Sequence, residues 1–314
     1  MLTIIIPAYN HEEYVLESLE AACLVDLPGT HIVVIDDGSS DRTKGKVEFF
    51  LQQHPLADVT FISKSNGGLV SSLILGLEMA KTEYVYIVAS DDIPSAIGIK
   101  ECVRLLEESP RAMFCVGGAI NYFEDEPEGN TPVYNAAHDK FFAMNSMSRT
   151  SEMYLNYPQP ILLQSTIFRV SALKAIGGWD KEILLDDYPT FVKMLVRYPI
   201  LGEDFLYFPQ VLVVKYRQHG TNSYKNVERQ FFIVKQMLDR LAPKEIYSKA
   251  LGKVLALHFL GAMRLKRFKE GFRLFNGVGI KVLFNFSRYL AFYVARFAMR
   301  RLKRLTGSVR GVES

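Results

Sequence analysis

The chain has 314 residues, 49% of them hydrophobic and 23% charged, which is enough apolar material for a core of ordinary size and excludes a disordered or low-complexity polymer. Charges interrupt every apolar run of the C-terminal quarter well short of the roughly 18 residues that span a bilayer, so no transmembrane helix is expected. The formal net charge of +3 hides an asymmetry: residues 251–314 carry 14 Lys and Arg against Glu270 and Glu313, a balance of +12, while the rest of the chain stands at −9. The apolar run 2–6, closed by Pro7, lacks the basic flank and small-residue cleavage site of a leader and is read as a first strand, which puts the protein in the cytosol. Cys23, Cys102 and Cys115 are odd in number, lack metal-like spacing and are expected as reduced core residues.

In chain order, residues 2–6, 31–35, 59–63 and 84–89 are β-branched or aromatic runs, with helical periodicity between them near 12–24, 42–53 and 68–81. This alternation predicts an α/β fold with a Rossmann-like, mostly parallel sheet flanked by helices. Ligands of such sheets bind beyond the carboxyl ends of the strands, where strand order reverses. Polar residues stand at those ends: Tyr9 and Asn10, Asp36 and Asp37, Asn66, and Ser90, Asp91 and Asp92. A helix near 95–108 and a strand near 113–120 follow. The polar, aperiodic stretch 124–150 reads as a loop or flap, and a strand at 166–170, a helix at 190–197 and a strand at 211–216 complete the body. Residues 1–225 form one domain, divided at 92/93 into two halves, and 226–314 form a basic helical extension.

Asp36-Asp37-Gly38-Ser39-Ser40-Asp41 alone is a strand end, a tight turn and a helix cap. Paired with Pro7-Ala8-Tyr9-Asn10, it resembles the nucleotide-binding half of GT-A glycosyltransferases of family 2. The resemblance continues through Asn66-Gly67-Gly68 and Ala89-Ser90-Asp91-Asp92, although Ala89 replaces the first Asp of the family's D-x-D motif and Leu73-Ile74 stand where many members have Arg-Asn. It implies a nucleoside diphosphate sugar bound by Pro7, Ala8, Tyr9, Asp37, Asn66, Gly68 and Ser90. UDP and dTDP are the expected nucleotides. It further implies a divalent metal, Mg2+ or Mn2+, held by Asp91, Asp92 and His219, since a hard cation offsets charge on the departing diphosphate and needs only one or two carboxylates.

Gly177-Gly178-Trp179-Asp180 and Leu185-Asp186-Asp187-Tyr188 resemble the family's acceptor segment. By position Asp187 is the base that takes the acceptor hydroxyl proton, with Asp186 orienting it or contacting the acceptor and Trp179 on the acceptor side. Helix capping before Pro189 is the other reading of the same acidic pair. Tyr216-Arg217-Gln218-His219-Gly220-Thr221-Asn222-Ser223 resembles a signature of bacterial members, implying that Arg217 and His219 face the diphosphate or the metal.

In the extension, Lys281, Arg288, Arg296 and Lys303 recur at helical spacing, with Leu283, Leu290 and Phe297 on another side. Such a helix suits an anionic membrane surface; packing against the body and an oligomer contact are its other uses, and no nucleic-acid module accompanies it. The resemblance implies an inverting, metal-dependent transfer to a hydroxyl of a lipid-linked surface glycan by a cytoplasmic, peripheral enzyme. Transfer to a polyprenyl phosphate and a non-catalytic nucleotide-sugar-binding scaffold are the alternatives.

Overall fold

The structure is a computed structural model that describes residues 1–219 and 227–309, and the side chains of the last helix as far as residue 299. The chain divides into two compact units: Met1–Met153 with Tyr157 onward through the last strand, and Tyr154–Asn156 with the C-terminal helices.

The first unit opens with β1 (Leu2–Ala8), α1 (Val15–Cys23), β2 (His31–Asp36), α2 (Thr43–Gln53), β3 (Val59–Ser63), α3 (Leu69–Met79) and β4 (Tyr84–Ile87). Every residue of β1 is buried, as a strand covered on both faces requires, and this is why it reads as an unbroken apolar run. β1 pairs in parallel with β2 on one side and β4 on the other, Ile5 standing opposite both Val33 and Ile87. The chain runs outward from β1 to β2 and β3, then returns to β4 across β1. That reversal opens a crevice at the carboxyl ends of β1, β2 and β4.

The unit continues with β5 (Ile93–Pro94), α4 (Ala96–Glu108), β6 (Phe114–Tyr122), β7 (Thr131–Pro132), α5 (Ala136–Phe142), α6 (Ser146–Leu155), β8 (Thr166–Arg169), α7 (Val170–Ala175), α8 (Asp187–Arg197) and β9 (Phe205–Arg217). Among the described residues the nine-stranded sheet runs β3-β2-β1-β4-β8-β6-β9-β5, with β7 beside β6. Its first four strands are parallel; β8 lies antiparallel to β4 and β6, while β6 and β9 are parallel. α4 presses on β9 so closely that a Cβ at Gly98 would fall 1.8 Å from the Leu212 carbonyl oxygen, which leaves no alternative to glycine. The packed centre of this half is aromatic, with the Phe114 ring stacked 5.1 Å from Phe205 and 6.0 Å from Phe168.

Two expectations need correction. Residues 124–150 are not a bare loop, for they hold a 3-10 turn, β7, α5 and the start of α6. These helices are too short for visible periodicity, and their order comes from caps: Asn135 accepts from Ala137 N at 2.9 Å, and Asn145 accepts from Ser148 N at 2.9 Å. Buried Arg149 binds the carbonyls of Phe141, Phe142, Met144 and Pro199, tying α5 to the segment before β9. Cys102 and Cys115 are core residues as expected, but Cys23 is exposed because it falls on the outer face of the last turn of α1.

The second unit holds α9 (Val227–Leu241), α10 (Lys244–Arg264), α11 (Phe268–Arg273) and α12 (Ile280–Val309). Phe231, Met237, Leu251, Leu255 and Leu274 are its buried centre, and the Phe259, Phe275 and Phe286 rings meet edge to face. At the crossing of α10 and α12 a Cβ on Gly252 would lie 2.6 Å from Asn285 Cβ. α12 turns Val282, Asn285, Phe286, Tyr289 and Tyr293 toward cover. The side expected to be apolar is only partly covered, because Leu283 and Phe297 are exposed. No helix among the described residues is long and apolar enough to cross a membrane.

Candidate active site

The end of β1 ties the crevice together. The Ala8 carbonyl accepts from Asp37 N at 2.8 Å and the Pro7 carbonyl from Ser90 N at 3.2 Å, so the β2 and β4 ends are both fixed to it. Tyr9 then projects with 47% of its surface exposed. Asn10 turns the chain at φ 54°, a conformation that asparagine tolerates when its side chain bonds locally; its Oδ1 accepts from Ser40 N at 2.8 Å.

Asp36 and Asp37 are both buried. Asp36 accepts from Ser39 N and Ser63 Oγ, at 3.3 and 3.2 Å. Asp37 accepts from Gly67 N at 2.8 Å and pairs with Lys64 Nζ, which also donates to Ser71 Oγ at 2.7 Å. Asn66 and Gly68 stand exposed on this loop, Gly68 at φ 81°. Lys64 was not singled out from the sequence, because a lysine after an exposed strand end reads as surface.

On the β4 side, Asp91 is partly exposed and its Oδ2 lies 2.9 Å from His219 Nε2 and 3.6 Å from His11 Nε2. His11 Nδ1 bonds buried Ser90 Oγ at 2.8 Å. Burial holds the His11 imidazole below its ordinary pKa, although the Asp91 charge works in the opposite direction. His11 was also missed, since a single histidine following a motif carries no signal by itself. Tyr14 stacks on His219, ring centroids 5.2 Å apart.

Asp92 is turned inward. Its Oδ1 accepts from Arg217 N at 2.9 Å, while Oδ2 is buried without a hydrogen-bond partner. Burial, and then the Asp91 charge, push its carboxyl well above the usual carboxylate range. The two neighbouring acids thus differ in environment: Asp91 reaches solvent and Asp92 does not.

Only 3% of the Arg217 side chain is exposed, its Nε donates to the Asp91 carbonyl at 2.9 Å, and its two terminal nitrogens pair with Glu17 and Glu124. Tyr14 and Tyr122 lie against the guanidinium, at 4.8 and 5.4 Å. With these protein partners Arg217 holds the Asp91-Asp92 turn. Gly220 to Ser223 of the same signature lie outside the described residues.

On the opposite wall, Asp187 begins α8 and its Oδ1 accepts from Leu163 N at 2.8 Å. Its carboxyl is raised well above the ordinary range, first by desolvation, then by the Asp186 charge, with Asp92 contributing as well. Asp186 is raised by desolvation too. It occupies the N-cap position of α8 without a side-chain cap bond, while Asp187 is the acid of the first turn, where the helix dipole favours it. Trp179 is buried and lines a cavity of about 290 Å3 with Ile74, Leu77, Glu78, Lys174, Gly177 and Gly178.

The family model for glycosyl transferase family 2 matches residues 3–175, the stretch that supplies the whole crevice except Asp186, Asp187, Arg217 and His219. The chain is a family 2 glycosyltransferase. Glycosyltransferase GlyG of Streptococcus pneumoniae serotype 4 is 29% identical over 139 residues, 44% of this chain and 45% of that protein. The poly-beta-1,6-N-acetyl-D-glucosamine synthase of Staphylococcus epidermidis is 23% identical over 194 residues, 59% of this chain and 43% of that protein. The glycosyltransferase therefore spans less than half the length of these curated relatives.

Among solved structures, S. aureus TarS 1–349 in complex with UDP-GlcNAc has a TM-score of 0.59 at 16% identity, covering 87% of this chain and 79% of that one. Mannosyltransferase PcManGT from Pyrobaculum calidifontis, in complex with GDP-Man and Mn2+, has a TM-score of 0.54 at 18% identity, covering 97% and 86%. At such identities the likeness speaks for the fold, and the enzyme has the GT-A architecture.

Proposed function

We propose that the enzyme transfers a sugar, with inversion, from a nucleoside diphosphate donor to a hydroxyl of a lipid-linked surface glycan. The observation that carries this reading is the pairing of two acidic walls in one crevice: Asp187, held by Leu163 N at 2.8 Å, lies within electrostatic reach of Asp92 beneath the Asp91 turn. TarS bound to UDP-GlcNAc and PcManGT bound to GDP-Man support a nucleotide-sugar donor. UDP and dTDP are the donors we favour.

Tyr9, exposed beside the Asp37 and Asn66 loops, offers a ring to the base. Asp37, fixed by Gly67 and Lys64, stands below the ribose. Asp187 takes the acceptor hydroxyl proton as the oxygen bonds to the sugar C1 and the bond from C1 to the diphosphate breaks. Its raised pKa makes it a stronger proton acceptor than an ordinary carboxylate.

Asp91 and His219 offer an oxygen and an imidazole nitrogen 2.9 Å apart on an accessible turn, a donor set that fits Mg2+ or Mn2+. Among the described residues no three His, Cys, Asp or Glu surround one point, so an ion held here would need its other ligands from water and phosphate. Such an ion would offset the charge of the departing diphosphate. Asp92 then serves to anchor the turn. The acceptor's lipid carrier is read from the basic second unit, which would work at the cytoplasmic face of an anionic membrane.

The test is a transfer assay in which the anomeric configuration of the product is read by NMR. Inversion, together with a loss of roughly 10²-fold in turnover for Asp187→Asn at unchanged donor affinity, is expected. Retained configuration, or wild-type turnover in the variant, overturns the reading.

A further inference from the structure

α12 covers one side and leaves the other bare. Ile280, Phe284, Arg288, Phe292, Ala295 and Met299 follow at steps of three or four residues, so they share one face of the helix, and all six are exposed. Phe284 is 64% and Phe292 56% exposed, as large apolar side chains of a folded unit seldom are in such a row. A cation lies beside the rings of this face, the Arg288 guanidinium sitting 5.9 Å from the Phe284 centroid, whereas Phe297, with Arg264 5.6 Å from its centroid, projects from another side of the helix. No Asp or Glu occurs between Glu270 and Glu313.

We propose that this aromatic and basic face docks on an anionic lipid surface, the rings entering the headgroup boundary while Arg288 within it and Arg296 at its edge meet lipid phosphates. The charge pattern selects the occupant. A second copy of the face would set arginine against arginine with no acid to separate them. A nucleic acid would satisfy the cations but leave Ile280, Phe292 and Met299 in water. A bilayer interface takes both kinds of side chain at once, since apolar insertion and attraction to anionic lipid add. This docking rests on the proposed lipid-linked acceptor for its purpose, but the docking itself is measured without any acceptor.

The full chain is floated with vesicles of phosphatidylcholine alone and of phosphatidylcholine with phosphatidylglycerol at about three to one. It should rise with the mixed vesicles, stay behind with the neutral ones, and detach as salt screens the attraction. Arg288→Gln with Arg296→Gln should weaken partitioning about fivefold per charge, and Phe284→Ser with Phe292→Ser at least about tenfold. Circular dichroism confirms that the variants fold, and hydrogen exchange on wild-type protein should show residues 280–299 protected by mixed vesicles. Transfer to a short soluble acceptor should be unchanged in every variant. Loss of vesicle binding with intact transfer therefore separates this docking from the fate of Asp187. Indifference of the wild type to mixed vesicles at low salt overturns the proposal. So do variants that bind vesicles like wild type.

Discussion

The backbone N–H of Arg217 donates to Asp92 Oδ1 at 2.9 Å, joining residues 125 positions apart. The same residue's Nε holds the Asp91 carbonyl at 2.9 Å. The end of β9 therefore sets the shape of the turn after β4.

Arg217→Gln should consequently lose stability as well as donor affinity. Glu17 and Glu124 are each about half exposed and regain water readily. The loss should then be modest for a buried ion pair, about 2 kcal/mol in a urea titration. A direct phosphate contact would instead weaken the donor at unchanged stability.

Asp187→Asn should trade activity for stability. Burial and Asp186 raise the folded-state pKa of Asp187 above that of the unfolded chain, so the folded protein binds its proton more tightly. Stability is then lost as pH rises from the unfolded carboxyl range, near about 4, through the folded value. Asparagine does not titrate. Scanning calorimetry should give equal melting temperatures for the two proteins below that range and a higher one for the variant above it, where wild type carries the strained charge. The acid limb of the turnover profile should track the same group in wild type.

Metal dependence should separate the adjacent acids. Asp91→Ala removes the accessible oxygen beside His219, and isothermal titration should find donor affinity at least about tenfold weaker in Mn2+ and no longer sensitive to chelation. Asp92→Asn keeps the acceptor for Arg217 N and relieves a buried charge, so metal-stimulated binding should persist. Equal losses in both variants would place the cation between the two.

The parallel half of the fold was legible because physics writes it locally: strands buried on both faces become β-branched runs, and their functional ends carry Tyr9, Asp37, Asn66 and Asp91. What escaped depends on distance or brevity. His11 gains meaning only through Ser90 and Asp91, 79 and 80 positions away, and α5 is held by Arg149 from the following helix. The composition of α12 showed that it was basic and aromatic, yet not which side faced α10, because apolar residues lie all around it. Arg217 was legible as part of the site, but its direction was not, since Glu17 and Glu124 belong to segments with no motif of their own.

Asp37 joins the loop after β2 to the loop after β3 through Gly67 N, and Lys64 carries the join to Ser71 in the first turn of α3. In the proposed reading, a cradle fastened in this way has less disorder to surrender when a nucleotide settles into it. The roughly 1–2 kcal/mol per residue that ordering a slack loop would cost is met while the chain folds, before any ligand arrives. Nucleotide preference in such a rigid seat must evolve by exchanging the side chains at its rim, Tyr9 and Asn66 first, with the backbone beneath them left in place.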